Sequence, residues 1–411
     1  MAIFEKGNAV IGQSGGPTCA INATLAGVIK GCLANDKIEK VYGMKNGVEG
    51  FLREDFIDIK DYFSGPRDKN LQLLASTPAS ALGSCRKKIS DDETIAKIFE
   101  ILEKYEIRYF FYICGNDSMD AVMKLSTYAK EHEGIYEVNF IGVPKTIDND
   151  LVLTDHTPGY GSAAKYIAVS MQEIMRDVAV YTTKAVTIVE IMGRDAGWLT
   201  AASALTNHLC GIGPELIYLP ETAFSAKDFI KDVKAKLQES DFVVVAVSEG
   251  IRDKDGNYVA EAAMSGAVDT FGHKYLAGTG KYLENLVKDE IGCKVRSVEL
   301  NILQRCASHI SSKTDIEESI RIGDAAVRYA FAGETGKMIV VQRVADSDEY
   351  AVETATEDVS EIANKIKKMP KAFIDAKNKT VTQKCIDYML PLIQGEYPSQ
   401  YEDGLPVHFV F

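Results

Sequence analysis

Apolar runs of strand length alternate along this chain with amphipathic stretches of helical length. The runs include NAVIGQ, RYFFYIC, EVNFIGV, AVTIVEIM, FVVVAVS and KMIVVQR. Between them lie stretches such as DDETIAKIFEILEKY and SAKDFIKDVKAKLQE, whose apolar residues recur at helical spacing. Strands that are apolar throughout are buried on both faces, which is typical of parallel sheets with helices on each side. The sequence therefore predicts an α/β fold with mainly parallel sheets flanked by helices.

The loops between these runs divide the chain into two lobes and a tail. A lobe boundary is expected in the loops near residues 155 to 160, with a return to the first lobe near residues 310 to 320. The predicted division is a first lobe of residues 1–157 and about 315–345, a second lobe of residues 158–314, and a C-terminal extension of residues 346–411. The extension ends in the turn-rich stretch QGEYPSQYEDGLPVHFVF, which we expect to pack on the surface.

Composition excludes several classes of protein. The net charge of −13 over 411 residues argues against a nucleic-acid or membrane-surface partner, because it leaves no basic arm or polybasic cluster. No apolar run approaches the roughly 20 residues that a membrane helix needs, and the N-terminal stretch is not typical of a secretory signal. The eight cysteines form no CxxC pair, which favours reduced thiols over disulfides or zinc. We expect a soluble cytoplasmic protein.

Three polar motifs follow predicted strands directly. They are GQSGGPTCAIN, CGNDSMD and PKTIDND. In doubly wound sheets, ligands bind at the carboxyl ends of the strands. The common placement of the three motifs therefore predicts one ligand site at this edge of the sheet.

The first two motifs suit a phosphate, although each also has a purely structural explanation. The paired glycines of SGGPT would let backbone N–H groups approach an anion, or would simply make a tight strand-to-helix turn. In CGNDSMD, Asn116, Asp117 and Ser118 are good helix N-cap residues. The functional alternative is a phosphate cradle with a carboxylate for magnesium. Asp120 is expected to interact with the helix dipole rather than with a ligand.

The third motif is harder to explain by local structure. An Asx turn accounts for the residues from Asp148 to Asp150, but not for Lys145 three residues ahead of them at the end of a strand. A lysine can neutralise a phosphate, one acid can accept a hydroxyl proton and a second acid can hold magnesium. We therefore interpret PKTIDND as part of a catalytic site.

With these motifs the chain resembles the phosphofructokinase family. The resemblance runs in order through SGGPTCAIN, LGSCR, CGNDS, PKTIDND, TPGYGSA, EIMGRDAGWLT, VSEGI and LQR. It implies two Rossmann-like α/β lobes with the active site in the cleft between them. It also implies magnesium-dependent phosphoryl transfer to the 1-hydroxyl of fructose 6-phosphate, a reaction of glycolysis, by a homodimer or homotetramer.

The resemblance assigns roles to residues of this sequence. Asp148 matches the base that accepts the 1-hydroxyl proton, and Lys145 and Arg194 complete the catalytic group. The sugar-phosphate contacts match Thr146, Asp150, Met192, Gly193, Arg194, Glu249, Arg296 and Arg305. The contacts to the phosphoryl donor match Gly15, Arg86, Asp117, Ser118 and Lys145. The arginines suit a phosphate because the guanidinium fork binds it through two parallel hydrogen bonds.

Two positions indicate the donor. Members of the family that use ATP carry GGDGS and PGTIDND, whereas this chain has Asp117 and Lys145 at the two variable positions, like the pyrophosphate-dependent group. An aspartate in place of glycine fills space where a nucleotide's α-phosphate would lie and repels it. The lysine ammonium can neutralise pyrophosphate and the phosphate that leaves. The resemblance thus implies pyrophosphate as donor and fructose 6-phosphate as acceptor.

The chain departs from the family pattern at several positions. Asn116 stands where an aspartate is usual, so the expected magnesium ligand is Asp117, with Asn116 as the alternative. Cys114 replaces a glycine, LQRCAS with Asn301 replaces the usual glycine-rich pattern, and Ala185 falls where many members have a phosphate-binding arginine.

Three rival functions remain open from the sequence. An ATP-dependent phosphofructokinase would share the chemistry, but Asp117 and Lys145 count against it. A non-catalytic regulatory subunit of the family is disfavoured because Asp148, Asp150 and the arginines are retained. A lipid or NAD kinase has a similar loop of glycine and aspartate, but does not suit the combination of MGR with PKTIDND.

Overall fold

The computed structural model describes residues 6–260, 278–345 and 349–411. Its β-strands are β1 (Gly7–Gln13), β2 (Ile38–Met44), β3 (Phe56–Asp58), β4 (Ile107–Cys114), β5 (Asn139–Pro144), β6 (Ala185–Ile191), β7 (Leu216–Tyr218), β8 (Phe242–Ser248), β9 (Lys294–Glu299), β10 (Lys337–Arg343), β11 (Val352–Asp358), β12 (Ile374–Asp375), β13 (Thr380–Val381), β14 (Tyr401–Glu402) and β15 (Leu405–Pro406).

Helices connect most of these strands. They are α1 (Ile21–Leu33), α2 (Gly47–Leu52), α3 (Asn70–Ser76), α4 (Asp92–Lys104), α5 (Asn116–Glu131), α6 (Tyr160–Val178), α7 (Trp198–Ala202), α8 (Leu205–Cys210), α9 (Ala226–Glu239), α10 (Thr279–Glu290), α11 (Lys313–Phe331) and α12 (Gln383–Met389). Several helices are preceded by a residue with a short polar side chain. The oxygen of such an N-cap side chain accepts a hydrogen bond from an N–H of the first turn, which has no partner within the helix. Asp91 accepts from Thr94 N at the start of α4 over 2.8 Å. Within the described part of the chain, no helix combines the length and apolarity of a membrane span.

The larger sheet has seven strands in the order β11–β10–β5–β4–β1–β2–β3. Its five inner strands run parallel, while β3 and β11 pair antiparallel at the two edges. Successive residues of the inner strands point to opposite faces of the sheet. Ile11 and Phe111 therefore enter one apolar core, under α1 and α11, while Val10 and Phe110 enter the other, with residues of α4 and α5. Burial on both faces explains the continuous apolar runs.

The smaller sheet has four parallel strands in the order β7–β8–β6–β9. It too has an apolar core on each face, one containing Val189 and Ala246 and the other containing Ile188 and Val245. The two sheets with their flanking helices confirm the predicted α/β fold of two lobes.

Helix α11 returns the chain to the larger sheet and packs directly against α1. Glycines make this approach possible. A β-carbon on Gly27 would lie 2.1 Å from the carbonyl oxygen of Ile320, and one on Gly323 would lie 2.2 Å from that of Thr24. Any side chain at these positions would push the helices apart, which would loosen the core beneath β1.

The region after residue 346 contributes to both lobes. Strand β11 is an edge of the larger sheet, and Ile362 is buried in that lobe's core. Cys385, Met389 and Leu392 are buried in the core beside α6. The last residues lie against the first lobe, where the ring of Phe409 stacks on that of Phe63 with centroids 5.2 Å apart. The lobe and extension boundaries given above stay predictions.

Candidate active site

A cavity of about 580 Å³ lies between the carboxyl ends of strands from both sheets. Strands β1, β4 and β5 are neighbours in the larger sheet, so the three motifs that follow them meet at one edge. The loops after β6, β8 and β9 approach from the smaller sheet. The residues predicted from the sequence that line this cavity are Gly15, Arg86, Asn116, Asp117, Ser118, Lys145, Thr146, Asp148, Asp150, Met192, Gly193, Arg194, Glu249 and Arg305.

Lys145 is buried at the centre of the site, with only 2% of its surface exposed. Its ammonium donates to the carbonyl oxygen of Gly16 over 2.8 Å. Gly15 has a φ of +81°, and a β-carbon there would lie 3.2 Å from the Lys145 nitrogen. A glycine at position 15 is therefore favoured both by the backbone conformation and by the nearby ammonium. Burial lowers the pKa of Lys145 to about 8, although the Asp148 carboxylate acts in the opposite direction.

Serine hydroxyls connect the loops of the larger lobe. Ser14 Oγ lies 2.8 Å from Ser118 Oγ and 3.1 Å from the carbonyl oxygen of Cys85. Ser84 Oγ donates to the Gly15 carbonyl oxygen over 2.7 Å. These bonds fix the glycine loop against the segment that carries Arg86 and against the start of α5. This role of Ser14 and Ser84 was not predicted from the sequence.

Asp148 and Asp150 stand side by side in the loop after β5. Thr146 Oγ1 accepts from Asp148 N over 3.1 Å, and Asn149 between the acids has a left-handed φ of +53°. Burial raises the pKa of Asp148, and the opposing charges of Arg305, Lys145 and Arg194 offset part of that effect.

The second acid, Asp150, is perturbed in the same direction. Burial, and then repulsion from Asp148, raise the pKa of Asp150 to about 7. Its Oδ1 atom is buried without a hydrogen-bond partner. A buried carboxylate oxygen in this condition is costly unless a cation or a ligand satisfies it.

The smaller lobe supplies an acid, Glu249, and an arginine, Arg194, to the cavity. Gly193 has a φ of +132°, and its N–H donates to Glu249 Oε1 over 3.3 Å. Burial and the charge of Asp148 raise the pKa of Glu249 to about 7. The Nε of Arg194 is buried without a partner, so its N–H is available to a ligand in the cleft.

Arg305 connects the two lobes. Its carbonyl oxygen accepts from Cys19 N over 2.9 Å, and its guanidinium carbon would lie 4.0 Å from a β-carbon on Gly16. The neighbouring Gln304 accepts from Met192 N over 3.3 Å, which fixes the loop that carries Arg194. Although the sequence around Arg305 departs from the usual family pattern, its side chain lines the cavity.

Arg296 lies elsewhere. It is on β9, is not among the residues that line the cavity, and its guanidinium is 3.8 Å from a carboxylate oxygen of Asp177. Its role at the 6-phosphate stays a prediction. At the start of β6, beside Ala185, the ammonium of Lys184 donates to the carbonyl oxygen of Leu237.

The side chains around the cavity could supply only some of the ligands that magnesium needs. Among the described residues there is no cluster of three or more histidine, cysteine or acidic side chains arranged for a metal. Magnesium, however, is often held by one or two carboxylates together with water and substrate phosphates. Asp117, Asp148 and Asp150 fit that pattern, because their charges are close enough to raise the pKa of Asp150. Asn116 uses its amide oxygen to accept from Asn364 N over 2.8 Å, which makes it the weaker candidate.

Several residues at the cavity were missed by the sequence analysis. Glu190, Asp195, Glu299, Asn301 and Ile366 also line it. Glu190 and Asp195 lie within the motif EIMGRDAGWLT, and Asn301 shortly precedes LQR, so their positions in the sequence could have assigned them to the site. Ile366 belongs to no strand or helix and carries no chemical signal, and only the fold brings it here.

The fold and the cavity together define a two-lobed α/β enzyme with a cleft lined by charged residues. The model of the family described as Phosphofructokinase matches residues 8–330. The chain belongs to the phosphofructokinase family, which confirms the resemblance found in the sequence.

The chain is also similar to individual proteins over nearly its full length. The pyrophosphate–fructose 6-phosphate 1-phosphotransferase of Xanthomonas campestris pv. campestris is 42% identical over 410 residues, which are 98% of this chain and 96% of that protein. The enzyme of the same name from Halomonas elongata is 40% identical over 406 residues, with coverage of 97% and 94%. The crystal structure of the pyrophosphate-dependent phosphofructokinase from Nitrosospira multiformis superposes with a TM-score of 0.86 at 36% identity, covering 98% of this chain and 95% of that one.

Proposed function

We propose that this enzyme transfers a phosphoryl group reversibly from pyrophosphate to the 1-hydroxyl of fructose 6-phosphate. The products are fructose 1,6-bisphosphate and phosphate, as in glycolysis and gluconeogenesis. The observation that carries the proposal is Lys145, a buried ammonium bonded to Gly16 O at 2.8 Å in a cavity that Asp117 also lines. Relatives of matching length whose names state this reaction support the choice of donor and acceptor.

The chemistry begins at Asp148. A base for the 1-hydroxyl proton must lie next to the acceptor and must be able to ionise. Asp148 meets the second condition because Arg305, Lys145 and Arg194 all favour its charged form against the effect of burial. Their positive charges also face the position where negative charge builds up on the transferred group.

The remaining residues bind and orient the two substrates. Gly15, Arg86 and Ser118 are proposed to contact pyrophosphate, and Lys145 neutralises the phosphate that leaves. Thr146, Met192, Gly193, Glu249, Arg296 and Arg305 are proposed to contact fructose 6-phosphate. Asp117 and Asp150 would hold magnesium, whose charge would screen the phosphate oxygens when it is bound.

The proposal extends to where the enzyme acts, how it assembles and which substrate each lobe binds. We infer a cytoplasmic homodimer or homotetramer. The first lobe, of residues 1–157 and about 315–345, holds the donor, and the second, of residues 158–314, holds the sugar phosphate.

One assay tests the function. Purified protein is given fructose 6-phosphate and magnesium with either pyrophosphate or ATP, and formation of fructose 1,6-bisphosphate is followed. We expect activity with pyrophosphate and at most a trace with ATP. Preference for ATP would establish the ATP-dependent alternative, and no product with either donor would favour the regulatory subunit. Asp148→Asn is the negative control.

A further inference from the structure

A short segment from the C-terminal region forms part of the cavity wall. We call residues 364–367 the C-terminal bridge. It follows Ile362 and Ala363, which are buried in the core of the larger lobe. It ends at Lys367, whose carbonyl oxygen accepts from the indole N–H of Trp198 in the second lobe over 3.0 Å. The bridge thus spans from one lobe to the other.

The first end of the bridge is fixed at the start of α5. Asn116 Oδ1 accepts from Asn364 N over 2.8 Å, and Asn116 Nδ2 donates to the carbonyl oxygen of Lys365 over 2.6 Å. Asn364 Nδ2 in turn donates to Asp120 Oδ1 over 3.2 Å. The amide of Asn116 can donate and accept at once, which an aspartate at that position cannot do. This pair of bonds explains why an asparagine suits this chain next to Asp117.

The second end is fixed on the loop that carries the two catalytic-site acids. Lys367 N donates to the carbonyl oxygen of Asp150 over 2.7 Å. The Lys367 ammonium donates to Asn149 Oδ1 over 3.1 Å and to the carbonyl oxygen of Asp155 over 2.8 Å. It therefore points away from the cavity and serves as an anchor. With both ends tied to the walls, the residues between them have little freedom to move.

Ile366 lies between these anchors and lines the cavity, with 42% of its surface exposed. Its neighbours on this wall, Asn116 and Asp117, are polar. An aliphatic side chain has no group that can bind a phosphate, so its contribution to a charged cavity is its volume. The bridge ties that volume to Asn116, the residue before Asp117, and Asp117 belongs to the part of the site assigned to the phosphoryl donor.

We propose that Ile366, held by the C-terminal bridge, limits the length of the phosphoryl donor. On this proposal pyrophosphate occupies the space between Lys145 and this wall, whereas a linear triphosphate, inorganic or nucleoside-linked, would run into the side chain. This inference rests on the proposed function. It adds a steric limit on donor length to the charge-based selection by Asp117 and Lys145.

The test compares donors of different length. Steady-state kinetics with pyrophosphate, inorganic tripolyphosphate and ATP are measured for the wild type, Ile366→Ala and Ile366→Leu. A pocket discriminates about 10- to 200-fold for each methylene that is in excess or missing. We expect Ile366→Ala to raise the ratio of kcat/KM for tripolyphosphate to that for pyrophosphate at least 10-fold, and Ile366→Leu to keep the wild-type ratio. The inhibition constant of tripolyphosphate against pyrophosphate should fall in parallel in Ile366→Ala.

Ile302 offers a matched control, since it is an isoleucine that lines the same cavity from the side of the smaller sheet. Ile302→Ala should leave the donor ratio at its wild-type value. An unchanged ratio in Ile366→Ala, or equal changes in both alanine variants, would overturn the length limit while pyrophosphate remained the donor. A loss of ATP use in Ile366→Ala would also overturn it, since Ile366 would then contact a nucleoside. Failure of the wild type to use pyrophosphate at all would instead reject the proposed function.

Discussion

The ammonium of Lys145 lies 2.8 Å from the carbonyl oxygen of Gly16, so the end of β5 is joined to the glycine loop after β1. A lysine buried in this way loses its charge at moderately alkaline pH, because burial lowers its pKa to about 8. The bond also shows why a glycine loop and a lysine occur together here. The loop brings a carbonyl oxygen close enough to hold the ammonium in place.

The first prediction concerns pH. The ammonium is charged below its pKa and loses its charge as the pH rises through about 8 in the free enzyme. We therefore expect kcat/KM for pyrophosphate to fall above that pH. Bound pyrophosphate favours the charged form, so the fall in kcat should come at higher pH. Lys145→Arg, whose guanidinium stays charged, should retain activity further into the alkaline range. Identical alkaline profiles for the two proteins would contradict the assignment.

Asp148 gives the second prediction. Asp148→Ala should lower kcat by about 10²- to 10⁴-fold, the range for a lost acid–base group, with small changes in both KM values. Asp195→Ala is the control, because Asp195 lines the same cavity but is paired with Arg252. Near-normal turnover in Asp148→Ala would show that another group accepts the proton.

The third prediction concerns stability. The raised pKa of Asp150 means that the folded protein binds a proton more tightly than the unfolded chain does, so this group's contribution to stability is lost as the pH rises toward about 7. Asp150→Asn removes that cost. In the absence of magnesium we expect it to raise the free energy of unfolding at pH 8 by about 0.5 to 2 kcal/mol. Little gain is expected at about pH 4, where the carboxyl is still largely protonated in the unfolded chain as well. Thermal or urea unfolding at the two pH values measures this. Equal effects at both would rule out the charge as the cause.

Much of this site follows from the sequence because it is built from strand ends. The runs that became β1, β4 and β5 are apolar throughout, and each is followed by a polar motif. Once the strands are parallel and adjacent, their motifs must meet. Arg194 and Glu249 were assigned by the family resemblance, and the structure places them in the same way after β6 and β8 of the smaller sheet.

What the sequence did not predict lies at edges and in long-range contacts. Strands β9 and β11 were missed because edge strands alternate polar and apolar residues, as in KVRSVE and VETATED. Ile366 reaches the cavity only because the chain after β11 packs on α5. The bonds of Lys365 to Asn116 and of Lys367 to Asp150 join residues more than 200 positions apart, and no local pattern marks such a contact.

The fourth prediction separates the two proposed phosphate-binding arginines. Arg305 lines the cavity, so Arg305→Ala should raise KM for fructose 6-phosphate steeply and KM for pyrophosphate little. Arg296 is half-exposed near Asp177 and outside the lining of this cavity. If Arg296 contacts the sugar phosphate only when a second subunit is present, Arg296→Ala should raise the same KM in the oligomer. Normal KM values in Arg296→Ala would remove it from the site.

The last prediction tests the origin of donor choice. Asp117→Gly removes a carboxylate and its bulk, so it should admit some ATP. Lys145→Gly removes the ammonium assigned to the leaving phosphate. Loss of one such contact in a preorganised site costs about 3 to 4 kcal/mol, or 10²- to 10³-fold in rate, so pyrophosphate-dependent kcat should fall by that factor.

The double variant decides between a shared donor site and two separate effects. Because both side chains face one cavity, the double change should shift the ratio of kcat/KM values toward ATP by more than the product of the single effects. KM for fructose 6-phosphate should change little, which distinguishes a donor effect from general damage. Both donors are measured in the wild type, the two single variants and the double variant. Donor preference that stays the same in the double variant would show that these residues do not set it. Ile366 would then be the next position to combine with them, since its steric limit would persist after both charges are gone.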